Sequence, residues 1–324
     1  MIILIISKSK YLIYNFLISS LGEIIPKLII RIKKHKLNEG LKEYIDKFCL
    51  QEFEILDNLI DNDELHKCYL DQPNNLLRYK DIRTYQYNYV YIEHGNQYIN
   101  ASWIHFPFPG KFIATQGPIP RTIEDFWIMC NKYDVENIVM LCNFKEKNKE
   151  KCANYLNLKS RYLEITNIYE QEIDNGIILR KFKLINYYEK IVNNISQIHL
   201  TCWDDHTALN SAYFDKIIKI INFIDQNGLY KTVVVHCSAG VGRTGTFISL
   251  YNLYHEIKIQ IESKNKEIIE FSVFNLVRKI KELRMYMVEN ENQYILLYQF
   301  IHFLLFLYLY HLFASLFHDI NYIN

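Results

Sequence analysis

An α/β or α+β domain around a central sheet is what this sequence predicts, on three observations. Strand-type and helix-type periodicities are mixed along the chain rather than segregated. The run Thr232–Val235 has Val at three of its four positions and no polar alternation, the pattern of a strand buried on both faces. And 324 residues of 50% apolar composition can bury a large core, near the size at which single cores stop growing.

In chain order, Leu41, Tyr44, Ile45, Phe48, Phe53 and Leu56 recur at near-helical spacing and predict a helix over about Leu41–Ile60. Two short β-type runs follow, Tyr89–Glu93 and Gln97–Ile104, separated by the turn residues His94-Gly95-Asn96. Glu124–Lys132 reads as a helix leading into a strand at Asn137–Cys142. Strands are predicted at Ile177–Leu184 and Ile195–Cys202, and a helix at Asn210–Gln226. Past the buried strand, helices fill Arg243–Ile261, Ser272–Leu283 and Glu291 onward. No repeat or low-complexity linker interrupts the series. The chain divides into an extension over 1–40, a folded domain over 41–302 and an apolar helix or tail over 303–324.

Both ends are apolar. In the stretch Met1–Arg31 the apolar runs are broken by Lys8, Lys10, Glu23 and Pro26, whereas a signal peptide carries its basic residues ahead of its apolar core. Ile295–Phe317 has 23 residues without Asp, Glu, Lys or Arg, enough by length to span a bilayer. Its first half belongs to a motif described below, and the composition, rich in Ile, Lys, Asn, Tyr and Phe, inflates every hydropathy signal. A buried terminal helix is therefore preferred over a tail anchor or a surface-lying helix.

The net charge of +1 argues against an electrostatic nucleic-acid binder. Seven cysteines, odd in number and without CxxC spacing, fit neither a disulfide framework nor a zinc site and suit a reducing compartment. The 11 His show no ligand spacing, so no metal or organic cofactor is expected.

The chemistry concentrates in Val235-His236-Cys237-Ser238-Ala239-Gly240-Val241-Gly242-Arg243-Thr244-Gly245, between the buried strand and a helix. A loop so placed turns successive backbone N–H groups inward and aims a helix N-terminus at what they surround, making a socket for an anion. Five residues separate Cys237 from Arg243, which puts a thiol at the floor and a planar guanidinium where it can grip two phosphate oxygens. The field that draws phosphate in also favours thiolate over thiol, so Cys237 is the expected nucleophile. Arg243 would bind the charge on the equatorial oxygens, and the Thr244 hydroxyl is placed to reach the sulfur. Gly240-Val-Gly242-Arg-Thr-Gly245 is also a GxGxxG string with Glu262 further on, but a dinucleotide site explains neither the bracketing Cys and Arg nor its position 239 residues into the chain.

From His236 to Thr244 the chain resembles the tyrosine-specific protein phosphatase family, whose signature is HCxxGxxR followed by Ser or Thr. The resemblance extends from about Gln51 to His302, through motifs in the family's order. It implies the family's fold, a central twisted mixed sheet flanked by helices, with 41–302 as the catalytic domain. Leu77-Arg78-Tyr79-Lys80-Asp81-Ile82 is similar to the loop whose Tyr stacks on the phosphotyrosine ring and whose Asp holds the peptide backbone. Tyr98–Ser102, Phe112–Pro118 with Thr122, and Asp125-Phe126-Trp127 resemble its structural signatures. Ile138–Leu141, Glu146 and Lys151–Tyr155 resemble the loop that braces the mobile acid loop. Tyr79 and Thr115-Gln-Gly-Pro118 imply a deep pocket fitted to phosphotyrosine rather than the shallower one of dual-specificity enzymes. The family's Trp-Pro-Asp loop matches Cys202-Trp203-Asp204-Asp205-His206, which implies Asp205 as general acid and Trp203 as hinge.

The departures are informative. Asp204 replaces Pro and Thr207-Ala208-Leu209 replaces Gly-Val-Pro, so the acid loop loses its stiffeners and gains a like charge beside Asp205. Glu289-Asn290-Glu291-Asn292-Gln293-Tyr294 resembles the Gln-Thr-x-x-Gln-Tyr loop. Gln293 matches the second Gln, while Glu289 stands where the first positions water for phosphocysteine hydrolysis. Leu156 and Gln97 are smaller departures without catalytic consequence. The implied function is phosphotyrosine hydrolysis in proteins, Ser238 to Gly242 with Arg243, Tyr79, Asp81 and Gln293 forming the substrate site. The alternative is a pseudophosphatase that holds phosphotyrosine proteins with little turnover. Composition and loosened loops together also resemble the tyrosine phosphatases of polydnaviruses, which would put the chain in host-cell cytoplasm.

Overall fold

A computed structural model of the chain describes residues 3–5, 29–33, 40–61, 69–106, 110–203, 211–227, 231–263 and 267–320. Its centre is an eight-stranded mixed sheet. In chain order the strands are β3 (Ala101–His105), β4 (Lys111–Thr115), β5 (Val135–Met140), β8 (Leu158–Lys159), β9 (Leu163–Asp174), β10 (Ile177–Asn186), β11 (Ile191–Leu200) and β12 (Thr232–His236), arranged β3-β4-β12-β5-β11-β10-β9-β8. Strands β4, β12, β5 and β11 run parallel, and the rest of the sheet is antiparallel. A smaller sheet joins β1 (Ile3–Ile5), β2 (Ile29–Lys33) and β13 (Ile268–Phe271), and β6 (Lys145–Glu146) with β7 (Lys149–Glu150) makes a hairpin.

The all-apolar pattern of β12 has its expected consequence: every residue of the strand is buried, with β4 and β5 on either side. Helices close over the sheet: α1 (Gly40–Asp61), α2 (Ile123–Lys132), α3 (Phe214–Gln226), α4 (Gly242–Glu262), α5 (Val273–Leu283) and α6 (Glu291–Ile320). Helix α4 starts where the strand-to-helix loop ends and is buried on nearly every side, which is why its sequence shows no polar face. Ser272 caps α5, its hydroxyl accepting from Asn275 N.

Helix α1 lays Tyr44, Cys49 and Leu56 against α6 and α5. Its Glu52, buried to 5% exposure, accepts hydrogen bonds from the hydroxyls of Tyr44, Tyr294 and Tyr298. Burial pushes the Glu52 carboxyl up, against those three donors. This knot ties α1 to the first turns of α6. Among the described residues no helix is long and apolar enough to cross a membrane, and none of the six described cysteines forms a disulfide.

Two expectations are corrected. Tyr89–Glu93 is not a strand: only Tyr89 bridges to Ser102, and the aromatic run is held by loop contacts such as Val90 N to Ala101 O at 3.0 Å. Residues 97–100 likewise lie outside β3: Gln97 adopts a left-handed φ of 57°, and Ala101 N donates back to Ile99 O at 2.8 Å where the strand starts. Strand β9 is a further element without a sequence signal, because its polar stretch hides its pairing with β10.

Candidate active site

The loop leaving β12 is built around the sulfur of Cys237. Gly240 N donates to Sγ at 3.3 Å and Thr244 Oγ1 donates to it at 3.3 Å. Gly240 sits at φ +73°, and a Cβ there would lie 2.1 Å from the Thr115 carbonyl oxygen, so glycine is required both by conformation and by space. Gly117 N donates to Ser238 O at 2.9 Å, anchoring the loop to the segment after β4.

From behind, the fully buried Arg284 donates through Nε to Gly240 O at 2.8 Å and through Nη2 to Ala239 O at 3.3 Å. It also donates to Ser102 Oγ at 3.2 Å and Asn100 Oδ1 at 2.5 Å. By occupying the loop's carbonyls on the outer side, Arg284 leaves its amides to face inward. Burial pushes the guanidinium down to about 10, so it stays charged at neutral pH.

Arg243, 2% exposed, is held by Glu146 on the β6–β7 hairpin: Nη1 donates to Oε1 at 2.8 Å and Nη2 to Oε2 at 3.2 Å, while Nη1 also donates to Trp203 O at 2.8 Å. Burial works against its charge, but the Cys237 sulfur and Glu146 outweigh it and hold Arg243 above the usual arginine range. Asn143 N donates to Glu146 Oε1 at 2.9 Å, which fixes the carboxylate in turn.

Around this floor, Tyr79, Asp81, Ile82, Cys237, Ser238, Ala239, Gly242, Arg243, Glu289 and Gln293 line a pocket of about 190 Å³. Ser238 Oγ donates to Lys151 O at 3.0 Å, so the Tyr79 hydroxyl, 2.9 Å away, is the donor of that pair. The Tyr79 loop is pinned by Arg78, whose Nε donates to Gly117 O at 2.9 Å and Nη2 to Pro118 O at 2.7 Å, and by Gln116, whose Oε1 accepts from Arg78 N at 2.9 Å. Gly242 lets the last wall close: a Cβ there would meet Glu289 Oε2 at 2.6 Å and Gln293 Nε2 at 3.0 Å. Gln293 Oε1 accepts from Glu289 N at 2.9 Å, while its buried Nε2 has no acceptor among the described residues.

Thus Cys237, Ser238, Ala239, Gly242, Arg243, Tyr79, Asp81, Glu289 and Gln293 share one pocket, Gly240 and Thr244 touch the sulfur at its floor, and Val241 is buried as the N-cap of α4. Asp204 and Asp205 lie outside the described residues; Trp203, the last described residue before them, is the one bonded to Arg243. Sequence reasoning missed Arg284, because a single Arg after a helix reads as a C-terminal charge. It also missed the support under His236, which lies 2.6 Å from the Tyr155 hydroxyl through Nε2 and 3.1 Å from Cys237 O through Nδ1. Among the described residues no group of three or more His, Cys, Asp and Glu could hold a metal ion.

The sequence profile of the protein-tyrosine phosphatase family matches residues 74–303. The chain belongs to that family. Among curated phosphatases, it is 34% identical over 237 residues to human receptor-type tyrosine-protein phosphatase H, covering 68% of this chain and 20% of that one. To rat tyrosine-protein phosphatase non-receptor type 20 it is 30% identical over 271 residues, 80% of this chain and 61% of the relative. The chain thus spans only about a fifth of the receptor-type relatives. The phosphatase fold is shared with the catalytic domain of human protein tyrosine phosphatase non-receptor type 18, at a TM-score of 0.71 and 24% identity, over 82% of this chain and 99% of that one.

Proposed function

We propose that the chain hydrolyses phosphotyrosine in proteins through a phosphocysteine intermediate on Cys237. One observation carries the reading: an amide and a hydroxyl both point at the Cys237 sulfur, at the floor of a pocket whose wall is Tyr79 and whose side holds the Arg243 guanidinium. These donors favour a sulfur anion, and the loop's inward amides with Arg243 suit the three equatorial oxygens of a phosphoryl group in transfer.

The reaction runs in two displacements. The Cys237 thiolate attacks phosphorus, the P–O bond to the tyrosine ring breaks, and Asp205 gives its proton to the leaving phenolate. Water then attacks the phosphocysteine, Asp205 takes up a proton from it, and the thiolate departs. Gln293, with a donor to spare, orients that water, and Glu289 beside it slows the step by repelling the phosphoryl oxygens. The depth set by Tyr79 lets an aryl phosphate reach the sulfur and leaves phosphoserine short of it. Neither step uses a metal or organic cofactor.

Release of phosphate from a phosphotyrosyl peptide, with Cys237→Ser and Asp205→Asn as controls, tests the reading. Turnover in the wild type, its loss in Cys237→Ser and its reduction in Asp205→Asn are expected. Tight binding of the peptide with negligible release would favour the pseudophosphatase that Asp204 and Glu289 suggest.

The catalytic domain is taken as 41–302, with 1–40 as an extension and 303–324 as an apolar tail. Phosphotyrosine-containing proteins are the proposed partners, without nucleic acid, and docking of 303–324 onto the domain is favoured over membrane contact. A cytoplasmic site of action fits the free cysteines, and the likeness to polydnavirus phosphatases would make that the cytoplasm of a host cell.

A further inference from the structure

A string of buried hydrogen bonds leads away from the nucleophile's loop into the antiparallel half of the sheet. In the register of β9, β10 and β11, Arg180 stands directly opposite Glu170 on one side and Gln197 on the other, so the three side chains form a cross-strand row on one face. Arg180 Nε donates to Glu170 Oε2 at 2.7 Å, and Nη1 donates to Gln197 Oε1 at 2.8 Å and to His199 Nδ1 at 3.1 Å. Gln197 Nε2 donates to the Tyr155 hydroxyl at 2.5 Å, which lies 2.6 Å from His236 Nε2. His236 Nδ1 is 3.1 Å from Cys237 O. Arg180, Gln197, Tyr155 and His236 are all 5% exposed or less, and only Glu170 reaches solvent.

The direction of every bond in this string follows from its far end. A guanidinium can only donate, so Gln197 must turn its oxygen to Arg180 and its NH₂ to Tyr155. With its oxygen accepting, Tyr155 has its own proton to give, and of its two acceptors, His236 Nε2 at 2.6 Å and the weakly accepting Met140 Sδ at 3.6 Å, the imidazole nitrogen takes it. That nitrogen is then the acceptor, the neutral ring carries its hydrogen on Nδ1, and the hydrogen meets the Cys237 carbonyl. We infer that Arg180, on a strand outside the pocket, fixes the tautomer of His236 and thereby the hydrogen bond on the Cys237 carbonyl, which makes it a positioning residue for the nucleophile. The inference rests on the reading of Cys237 as nucleophile and adds a group that acts on it through three others, Gln197, Tyr155 and His236.

Without the cation the string can reverse. Gln197 can rotate its amide and offer oxygen to the Tyr155 hydroxyl, whose proton then leaves His236. His236 would move its hydrogen to Nε2 and turn the Nδ1 lone pair on the Cys237 oxygen. Two acceptors at that distance repel, and the backbone that carries the sulfur must give way. The string is buried from Arg180 to His236, and a buried network of aligned bonds transmits such a reversal.

The test uses the full chain carrying ¹⁵N-labelled histidine, in three variants: Arg180→Met, Gln197→Leu and Arg180→Lys. The ring ¹⁵N shifts of His236 report its tautomer, and the rate of Cys237 alkylation by iodoacetamide at pH 7, with and without inorganic phosphate, reports the sulfur. The expected result is Nδ1–H in the wild type and in Arg180→Lys, with movement toward Nε2–H in Arg180→Met and Gln197→Leu. Alkylation should slow about 3- to 10-fold in the last two and recover in Arg180→Lys. An unchanged tautomer and alkylation within twofold in both Arg180→Met and Gln197→Leu, whatever their melting temperatures, would overturn the inference. Failure of phosphate to protect the wild-type sulfur would instead strike at the phosphatase reading itself.

Discussion

The floor and the rim of the pocket are built differently. At the floor, Cys237, Arg243, Thr244 and the loop amides are buried, and each is held by a second group that is itself fixed: Arg284 on the carbonyls, Glu146 on the guanidinium, His236 on the Cys237 carbonyl. At the rim, Tyr79 is 37% exposed, Asp81 is exposed, and Glu289 stands where the family has glutamine. The difference teaches where this chain can vary. On the proposed phosphoryl chemistry the floor's geometry is the demanding part, whereas the rim adjusts rates and reach, and the departure at Glu289 is found there.

The floor's braces should therefore be far more sensitive than the rim. Arg284→Met leaves the buried oxygens of Gly240, Asn100 and Ser102 without their donor, and the loop amides lose their inward set. We expect kcat/KM for a phosphotyrosyl peptide to fall about 10²-fold with a folded chain by circular dichroism. A loss under threefold would erase the distinction.

Beneath the floor, His199 donates from Nε2 to Cys142 O at 2.8 Å and accepts from Arg180, and burial with the neighbouring guanidinium pushes it down to about 3. A depressed histidine means the unfolded chain binds the proton first. Stability should thus rise with pH between about 3 and 6.5 and be lost as pH falls through that window. Between pH 7.5 and pH 5 this single group should cost about 2 kcal/mol. Urea unfolding of His199→Asn at the two pH values should show a correspondingly smaller drop than the wild type, and equal drops would show that His199 takes up its proton in the folded state.

At the rim, Glu289→Gln removes a like charge from the phosphoryl site and should raise steady-state turnover roughly 2- to 5-fold while shrinking the pre-steady-state burst. Turnover no faster than wild type would show that Glu289 does not limit dephosphorylation. Smallest of all, Tyr79→Phe keeps the aromatic wall and loses only the hydrogen bond to Ser238, so KM should rise about 2- to 3-fold with kcat unchanged. A large fall in kcat would move Tyr79 from the rim to the floor.

Legibility in the sequence followed the same division. The strand β12 and the helix after the Cys237–Arg243 loop announce themselves because a continuous Val run and a helix start have local causes. The helices are legible to within a few residues for the same reason. Strand β9 was invisible because Thr166, Asn167 and the acidic run toward Asp174 face solvent at the sheet's outer part, where apolar alternation is not needed. Arg284 and Glu52 are unreadable as supports: Arg284 bonds Gly240 and Asn100, 44 and 184 positions away, Glu52 bonds Tyr294 and Tyr298, 242 and 246 positions away, and nothing local marks a charge as buried. The resemblance supplied Tyr79, Asp81 and Gln293, which spacing alone would not have gathered into one pocket.

The most direct measurement of the central claim is rapid-quench mass spectrometry of the intact chain during turnover of a phosphotyrosyl peptide, followed by mapping of the modified residue. The account predicts one phosphoryl group on Cys237, formed within the burst and absent from Cys237→Ser. Phosphate release without any phosphocysteine, or persisting in Cys237→Ser, would contradict it.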